Sequence, residues 1–376
     1  MSRTVLLIGN YPPDRQESMQ RYGRLVGDCL SEAGIRWRLI RPEAVLRRGP
    51  IARGRLAPWL GALDKFLLFP LRLLWILVGP RRRPAVVHLL DQGNGVYVPL
   101  LRGTPHLLTL HDLIAVRAGT GGPTRHPAPR PSPYQRLNRG ALARARHLLC
   151  VSEASRGDAL RELGIEPEHT TVLPIPLEPL FLEPAPSPLA SLPSRYWLHV
   201  GSSAWYKNRR ALLRIHAHLL ASAPQGEGID LPLVLIGQPL QAGETALVRQ
   251  LGTLERVLHA GRLSDDQLRA AYRFAEGLIF PSLEEGFGWP VLEALAQGCP
   301  VVVSACPSLL EVAGAAALVI DPADPATAAR RIAADWRHPG ERQRRRQEGL
   351  RRAAGHTLAP YAEGLVGLYR QLAAID

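Results

Sequence analysis

The feature that most constrains this chain is a recurrence of short, unbroken apolar runs, each ending at a small or polar residue. In the first half, Val5–Ile8 runs into Gly9-Asn10, 86–90 into Asp91, 107–110 into His111-Asp112 and 148–151 into Ser152. In the second half, 197–200, 233–236 and 257–260 each meet a glycine. There 278–280 meets Pro281, 301–303 meets Ser304 and 318–320 meets Asp321. Runs that do not alternate suit parallel strands covered on both faces. Helical periodicity fills the gaps at 21–30, 137–146, 208–220, 265–275 and 290–297; the last opens on a proline and stops at Gly298. Strands alternating with helices imply α/β sheets with right-handed crossovers.

The 376 residues are enough for two such domains. The alternation breaks once, at 176–195, which holds six prolines and no period. The expectation is two doubly wound, Rossmann-like parallel-sheet domains, 1–175 and 196–356, with a linker at 176–195 and a helix at 357–376 returning to the first domain. The stripe Tyr361, Leu365, Leu368 and Leu372 would seat that helix. A second proline-rich stretch, 119–133, reads as a loop, and the arginine-rich 342–352 as a solvated helix face. In open α/β sheets ligands bind beyond the carboxyl ends of the strands, so two facing sheets predict one interdomain cleft.

Composition narrows the function. Hydrophobic residues at 46% and charged residues at 21% are those of a globular chain. The net charge of +13 attracts nucleic acid, anionic lipid or phosphorylated substrates. No nucleic-acid recognition module or aromatic platform accompanies the arginines, which are spread out, so a nucleic-acid partner is not expected. Cys29, Cys150, Cys299 and Cys306 are scattered, which excludes a disulfide framework or zinc site and suits the cytoplasm. The opening residues lack a secretory core, and the apolar run 66–79 is shorter than the ~20 residues of a spanning helix. Basic residues do alternate with Trp59, Phe66, Leu67, Phe69, Leu73, Leu74 and Trp75 between 46 and 83. This suits either an amphipathic element on the inner, anionic face of a membrane or a core helix with a solvated basic face.

The segment 280–302 carries the most chemistry. A strand ends near Pro281, and a loop with Gly286, Phe287 and Gly288 follows. A helix starts near Pro290-Val291. Free N–H groups at such a helix start suit a diphosphate. Glu293, one turn in, points back toward the same place and suits a vicinal diol; Glu285, in the loop, sits where a sugar could hang from the phosphate. Two glutamates separated by seven residues, within E-G-F-G-x-P-x-x-E-A-x-A-x-G-x-P-V, resemble the signature of retaining glycosyltransferases with the GT-B fold, family GT4. That family includes sucrose-synthase-like enzymes and bacterial mannosyl- and glucosyltransferases.

Other segments agree. Val200 to Asn208, with Ser202, Ser203 and Lys207, resembles the family's phosphate loop. Lys207 is one of two lysines in a chain with 44 arginines. The family often adds an arginine in this loop; Tyr206 precedes Lys207 here, so a second cation is missing or comes from Arg209, Arg210 or Arg262. Gly261-Arg262-Leu263-Ser264-Asp265 resembles the turn against the nucleobase, although Ser264 and Asp265 also read as a helix cap. Thr109 to Leu113 resembles the first-domain element whose histidine, here His111, faces the donor sugar; Asp112 also reads as a cap. The stretch 9–19 resembles the acceptor loop, with Arg15, Gln16, Glu17 and Ser18 as acceptor-side candidates, but its usual Gly-Gly is absent.

The resemblance implies transfer of a hexose from a nucleotide-diphosphate sugar to a glycan or lipid-linked acceptor, with retention. Glu285, His111 and Lys207 would be catalytic. No D-x-D occurs, so no cofactor and no divalent metal is expected. A non-catalytic sugar-nucleotide-binding subunit, a sugar-nucleotide epimerase and a basic nucleic-acid-binding protein are the rival readings.

Overall fold

The computed structural model describes residues 4–14, 16–47, 56–79, 83–120, 132–185, 187–222 and 229–373. The chain forms two compact units, residues 1–174 with 359–376, and residues 175–358. Each unit is built on one six-stranded parallel sheet.

In the first unit the strands are β1 Val5–Ile8, β2 Trp37–Ile40, β3 Val86–Leu89, β4 His106–Leu110, β5 Leu148–Cys150 and β6 Thr170–Val172. They lie in the order β2-β1-β3-β4-β5-β6. In the second they are β7 Trp197–Gly201, β8 Leu233–Gly237, β9 Val257–Gly261, β10 Gly277–Phe280, β11 Val301–Ser304 and β12 Ala317–Ile320. Their order is β12-β11-β10-β7-β8-β9. Both orders reverse direction once: between β1 and β3, and between β7 and β10. At such a switch point the loops leaving two adjacent strands diverge to opposite faces and open a crevice at the strands' carboxyl ends.

The inner strands β1, β3, β4, β5, β10 and β11 are buried throughout, as unbroken apolar runs require. Each fully buried Leu or Ile contributes ~1.5–3 kcal/mol relative to exposure. Two strands carried no such run. Trp37–Ile40 is an edge strand with three exposed residues, and Thr170–Val172 is a three-residue polar edge. Edge strands need no double-sided apolar pattern, which is why periodicity passed over them.

Four sequence expectations change in detail. The helix predicted at 137–146 spans Pro133–Leu142. On the helix Leu358–Leu372 the buried stripe takes Tyr369 instead of Leu372. The stretch 342–352 lies on the helix Pro339–Ala354 but is not wholly solvated. Arg345 is buried against Asp335, and the Arg352 Nε donates to the Val312 carbonyl at 2.9 Å, at the end of the helix Pro307–Ala313. Finally, part of the proline-rich 176–195 is pinned to the second unit: the Gln297 side-chain amide donates to the carbonyls of Phe181 (2.7 Å) and Glu183 (2.8 Å), and Arg269 donates to that of Leu180 (2.8 Å). Most of the loop expected at 119–133, residues 121–131, lies outside the described residues, as do Arg15, Arg48, Arg53, Arg55, Arg81 and Arg82.

Candidate functional site

At the switch point of the second unit, β7 leads into a loop that carries Lys207 and β10 into one that carries Glu285. A short 3-10 turn, Trp205–Lys207, brings the lysine round, and Asn208 closes it in the left-handed region at φ 53. The two loops are tied together. The Leu283 amide donates to the Tyr206 carbonyl at 2.7 Å, and the Asn208 side chain donates to the Pro281 carbonyl at 3.3 Å. Two glycines are sterically required. A Cβ on Gly237, at the end of β8, would lie 2.5 Å from the Gly201 carbonyl oxygen; one on Gly288 would lie 2.5 Å from Leu309. Gly288, at φ 106, starts the helix Trp289–Ala296, with Pro290 in its first turn.

The Lys207 Nζ stands 2.7 Å from the Glu285 Oε1, and only 14% and 9% of the two side chains are exposed. The Phe280 ring lies 5.0 Å from the ammonium and the Tyr206 ring 5.6 Å. Ser308 donates to the Glu285 carbonyl at 2.8 Å and fixes the loop from behind. One cation thus sits in a largely desolvated place, where its field is stronger than in water. Glu293 lies one turn into the helix, 2% exposed, and its Oε2 accepts a hydrogen bond from the Tyr272 hydroxyl at 2.9 Å. Beneath the first loop, burial pushes the His199 pKa down to about 3. Its Nδ1 bonds the Ile279 carbonyl at 3.0 Å, so the proton sits on Nδ1.

The other donor-side candidates divide. Ser203 is engaged within the protein: its hydroxyl accepts from Arg209 at 2.6 Å and its amide donates to Gln238 at 3.0 Å. Arg209 is 3% exposed, also bonds the Gln238 carbonyl at 2.9 Å, and lies 3.6 Å from Glu244. It braces the loop and is not presented as a second cation. The Ser202 hydroxyl accepts from the Ala204 amide at 3.4 Å. Gly261 takes φ 70 after β9, and Leu263 follows half-buried. Ser264 caps the helix Asp265–Arg273: its hydroxyl accepts from the Gln267 amide at 3.3 Å and Gln267 returns the bond at 3.0 Å.

The first unit's switch point is built differently. Beyond β1, Asn10 bonds Gln16 and accepts from Asn94 at 3.3 Å. Beyond β3, buried Asp91 caps the turn Gln92–Leu101, and burial raises its pKa. His111, beyond β4, is 6% exposed. Its Nε2 bonds the Leu90 carbonyl at 3.0 Å, so Nε2 carries the proton and Nδ1 the lone pair. Burial lowers its pKa against the opposing effects of that carbonyl and Asp112, and the ring stays neutral. Asp112 accepts from the Ile114 amide at 2.9 Å, as a cap does. Behind His111 runs a buried chain: Tyr369 to His88 (2.6 Å), His88 to Thr109 (2.7 Å), Thr109 to Tyr22 (2.9 Å) and Tyr22 to Tyr361 (2.8 Å). The Tyr22 ring meets the His111 ring edge-on at 4.8 Å. Glu17 and Ser18 are exposed at the start of the helix Glu17–Glu32.

A family model described as "Glycosyl transferases group 1" matches residues 187–352, and one described as "Glycosyl transferase 4-like domain" matches residues 5–176. The chain belongs to the GT4-type glycosyltransferases. It is 30% identical over 236 residues to O-antigen chain mannosyltransferase B of Escherichia coli, covering 58% of this chain and 59% of that one. It is 29% identical over 280 residues to the MMP alpha-(1->4)-mannosyltransferase of Mycolicibacterium hassiacum, covering 72% of this chain and 66% of that one. The matches therefore span less than two thirds of either relative. Among solved structures, sucrose-phosphate synthase of Thermosynechococcus elongatus superposes with a TM-score of 0.77 at 20% identity, over 98% of this chain and 99% of that one, which shows the GT-B fold.

In this chain the sequence missed Tyr272 as the partner of Glu293, Ser308 as the support of Glu285, and the Asn10–Asp91–Asn94 group. The run Asp91-Gln92-Gly93-Asn94 directly after an apolar strand was a usable signal. It gains meaning only once β2 is known, because β2 places the switch point beside β3. Among the described residues no group of three or more His, Cys, Asp or Glu side chains is placed to hold a metal ion.

Proposed function

We propose that the protein is a retaining hexosyltransferase that takes its sugar from a nucleotide-diphosphate donor and passes it to a glycan or lipid-linked acceptor in bacterial polysaccharide or glycolipid synthesis. One observation carries the reading: a desolvated Lys207–Glu285 pair, 2.7 Å apart, at a strand-end switch point beside a helix N-terminus. Lys207 and the positive end of that helix's dipole balance the charge that gathers on the leaving diphosphate. Glu285 holds the sugar hydroxyls and stabilises the positive charge on the anomeric carbon. Glu293, held by Tyr272, takes the ribose diol.

In the reaction the bond from the anomeric carbon to the diphosphate oxygen breaks, and the nucleoside diphosphate leaves with the electron pair. The acceptor oxygen bonds to the same face, and its proton passes to the departing phosphate oxygen. The His111 Nδ1, with its lone pair, accepts a hydrogen bond from a sugar hydroxyl. Neither step calls on a divalent metal, in keeping with a sequence free of D-x-D. The named activities of the two relatives make a mannosyl donor the first to try.

The test is a thermal-shift screen against UDP-, GDP-, ADP- and TDP-sugars, since a ligand bound only by the folded state raises its stability. The donor that shifts the transition is then carried into a transfer assay with and without EDTA, and the product anomer is read by NMR. A shift, EDTA-resistant turnover and a product anomer matching the donor are expected. Binding without turnover would make the chain a sugar-nucleotide-binding subunit. An inverted anomer or full loss in EDTA would overturn the mechanism.

A further inference from the structure

We infer that Tyr22 is a positioning residue for His111, and that a buried hydrogen-bonded chain reaching the helix Leu358–Leu372 holds it to that task. The inference rests on the reading of His111 as the group that accepts a hydrogen bond from a sugar hydroxyl. The chain draws on four elements: Tyr22 from the helix Glu17–Glu32, His88 from β3, Thr109 from β4, and Tyr361 with Tyr369 from the helix Leu358–Leu372. None of the five is more than 3% exposed. Their surroundings are apolar. Val86, Val87 and Leu89 flank His88, and Leu107, Leu108 and Leu110 flank Thr109, all buried. Valine or leucine at 88 and 109 would fill the same sheet without desolvating a polar group. A fully paired polar chain supplies what an apolar core does not, one fixed geometry.

The protons show how tightly the chain is tied. Burial pushes the His88 pKa down to about 3, so its ring is neutral and has one N–H. Tyr369 lies at its Nδ1 and Thr109 at its Nε2, so one of these hydroxyls donates to the ring and the other accepts from it. Burial raises Tyr22 to about 12 and puts Tyr361 and Tyr369 well above the ordinary phenol value, so all three keep their protons. Removing the hydroxyl of Thr109 or Tyr22 therefore breaks a link on each side of it and leaves buried neighbours unpaired.

Two contacts set the His111 ring. Its Nε2–H donates to the Leu90 carbonyl at 3.0 Å, which leaves the lone pair on Nδ1. Its wall is the Tyr22 ring, edge-on, with centroids 4.8 Å apart and planes at 90°. The two contacts are built together. A Cβ on Gly23 would lie 3.2 Å from the Leu90 Cδ1, so a glycine after Tyr22 lets its helix approach the end of β3. The Tyr22 hydroxyl is tied to Thr109, two residues before His111, and to Tyr361. Held by its backbone at one end and its hydroxyl at the other, the ring cannot turn aside. An untied ring would let the imidazole leave the Leu90 carbonyl. Either nitrogen could then carry the proton, because the bond that one nitrogen makes decides the state of the other. Through Tyr361 the helix Leu358–Leu372 thus has a part in the chemistry besides packing.

Two measurements test this, and the first needs no donor. In the full chain labelled with 15N-histidine, NMR should show His111 protonated on Nε2 and bare on Nδ1, its signals assigned by their loss in His111→Ala. Thr109→Val, which keeps the shape and drops the hydroxyl, and Tyr22→Leu, which drops the wall, should each move His111 to a mixture of tautomers. Thr109→Ser should keep the wild-type signals. The second measurement is transfer kinetics. Thr109→Val is expected to lower kcat about tenfold with donor KM unchanged, and Thr109→Ser to restore it. In the His111→Ala background Thr109→Val should lower kcat no further, because a residue that acts through His111 has nothing left to position. Tyr361→Phe repeats both measurements from the far end of the chain, with a smaller loss of about threefold, and replaces Thr109→Val if thermal unfolding shows that variant to be unfolded. An equal loss in both backgrounds would reduce the chain to a structural role, and so would wild-type His111 signals in Tyr22→Leu. Full turnover in His111→Ala would instead remove the reading of His111 and leave the tautomer result to decide the inference.

Discussion

The two switch points differ in the kind of polarity they hold. In the second unit a full positive and a full negative charge meet at 2.7 Å, with little of either side chain exposed. In the first unit the corresponding loops are joined by amides, and the nearest titratable ring, His111, is neutral with its proton on a backbone carbonyl. The same topology thus supports opposite chemistry. A strand-end crevice with a desolvated ammonium beside a helix N-terminus suits a multiply charged anion. A crevice lined by amides, the buried Asp91 carboxyl, whose pKa burial raises, and a neutral imidazole suits hydroxyl groups, which need directed hydrogen bonds. The difference comes from which side chains the loops carry, because the strands beneath them are equivalent.

The largest effect should come from removing charge where charge is the working element. Lys207→Met is expected to lower transfer by about 10³-fold, in line with loss of a main electrostatic donor. It should also destabilise the unit, because a nearly buried Glu285 loses its partner. The double variant Lys207→Met/Glu285→Gln separates the two effects. Thermal unfolding should recover toward wild type, while turnover stays lost. Near-normal turnover in the double variant would remove the ion pair from the mechanism.

On the neutral side the effect should be smaller and of a different kind. His111→Ala is expected to lower kcat about 100-fold, with donor affinity by calorimetry unchanged. The pH profile sharpens this. Burial holds the His111 pKa below its ordinary value, so any acid limb it causes lies below about pH 6.5. A limb that stays in place in His111→Ala would assign it to another group.

The sequence displayed the charged site more fully than the neutral one, for physical reasons. Glu285, Gly288, Pro290 and Glu293 lie within one strand–loop–helix unit, so local spacing carries the geometry. Lys207 stands out because lysine is rare in this chain. Asn10 follows β1 whereas Asp91 and Asn94 follow β3, and only the order β2-β1-β3 brings them together. That order was hidden because β2 is a short edge strand with a mostly exposed pattern. Tyr272 lies within the helical period 265–275, but its bond to Glu293 depends on how two helices of the second unit pack. The role of Arg209 could not be read from its position: next to Lys207 in sequence it resembles a ligand, yet its guanidinium is turned inward to Ser203 and Gln238.

Each sheet also carries a buried neutral histidine, and here the units should behave alike. Burial pushes His88 and His199 both to about 3. The unfolded chain binds these protons near pH 6.5, more tightly than the folded one, so stability is full above that value and falls as the pH drops toward 3. The slope is ~1.4 kcal/mol per pH unit for each histidine. Denaturant unfolding between pH 7 and 4 measures it. His88→Gln and His199→Gln should each flatten the curve, whatever their cost at pH 7. If only one does, the two sheets do not share this acid sensitivity.

The smallest predicted effect decides a question at the edge of the charged site. The Ser264 hydroxyl could serve a nucleobase or the helix it precedes. Its bond to the Gln267 amide, returned by Gln267 to the Ser264 amide, engages it as a cap. Ser264→Ala should therefore cost about 1 kcal/mol of stability and leave the donor KM unchanged. Ser264→Asp, which can cap equally well, should restore the stability. If the serine touched the base, alanine would raise KM for one nucleotide over the others, and aspartate, with its negative charge, would not rescue it. Backbone groups at Gly261 and Leu263 are then left as the base-reading elements of this turn. Such groups cannot be removed by side-chain substitution, so a flat response to Ser264→Ala across several nucleotides is what backbone recognition predicts.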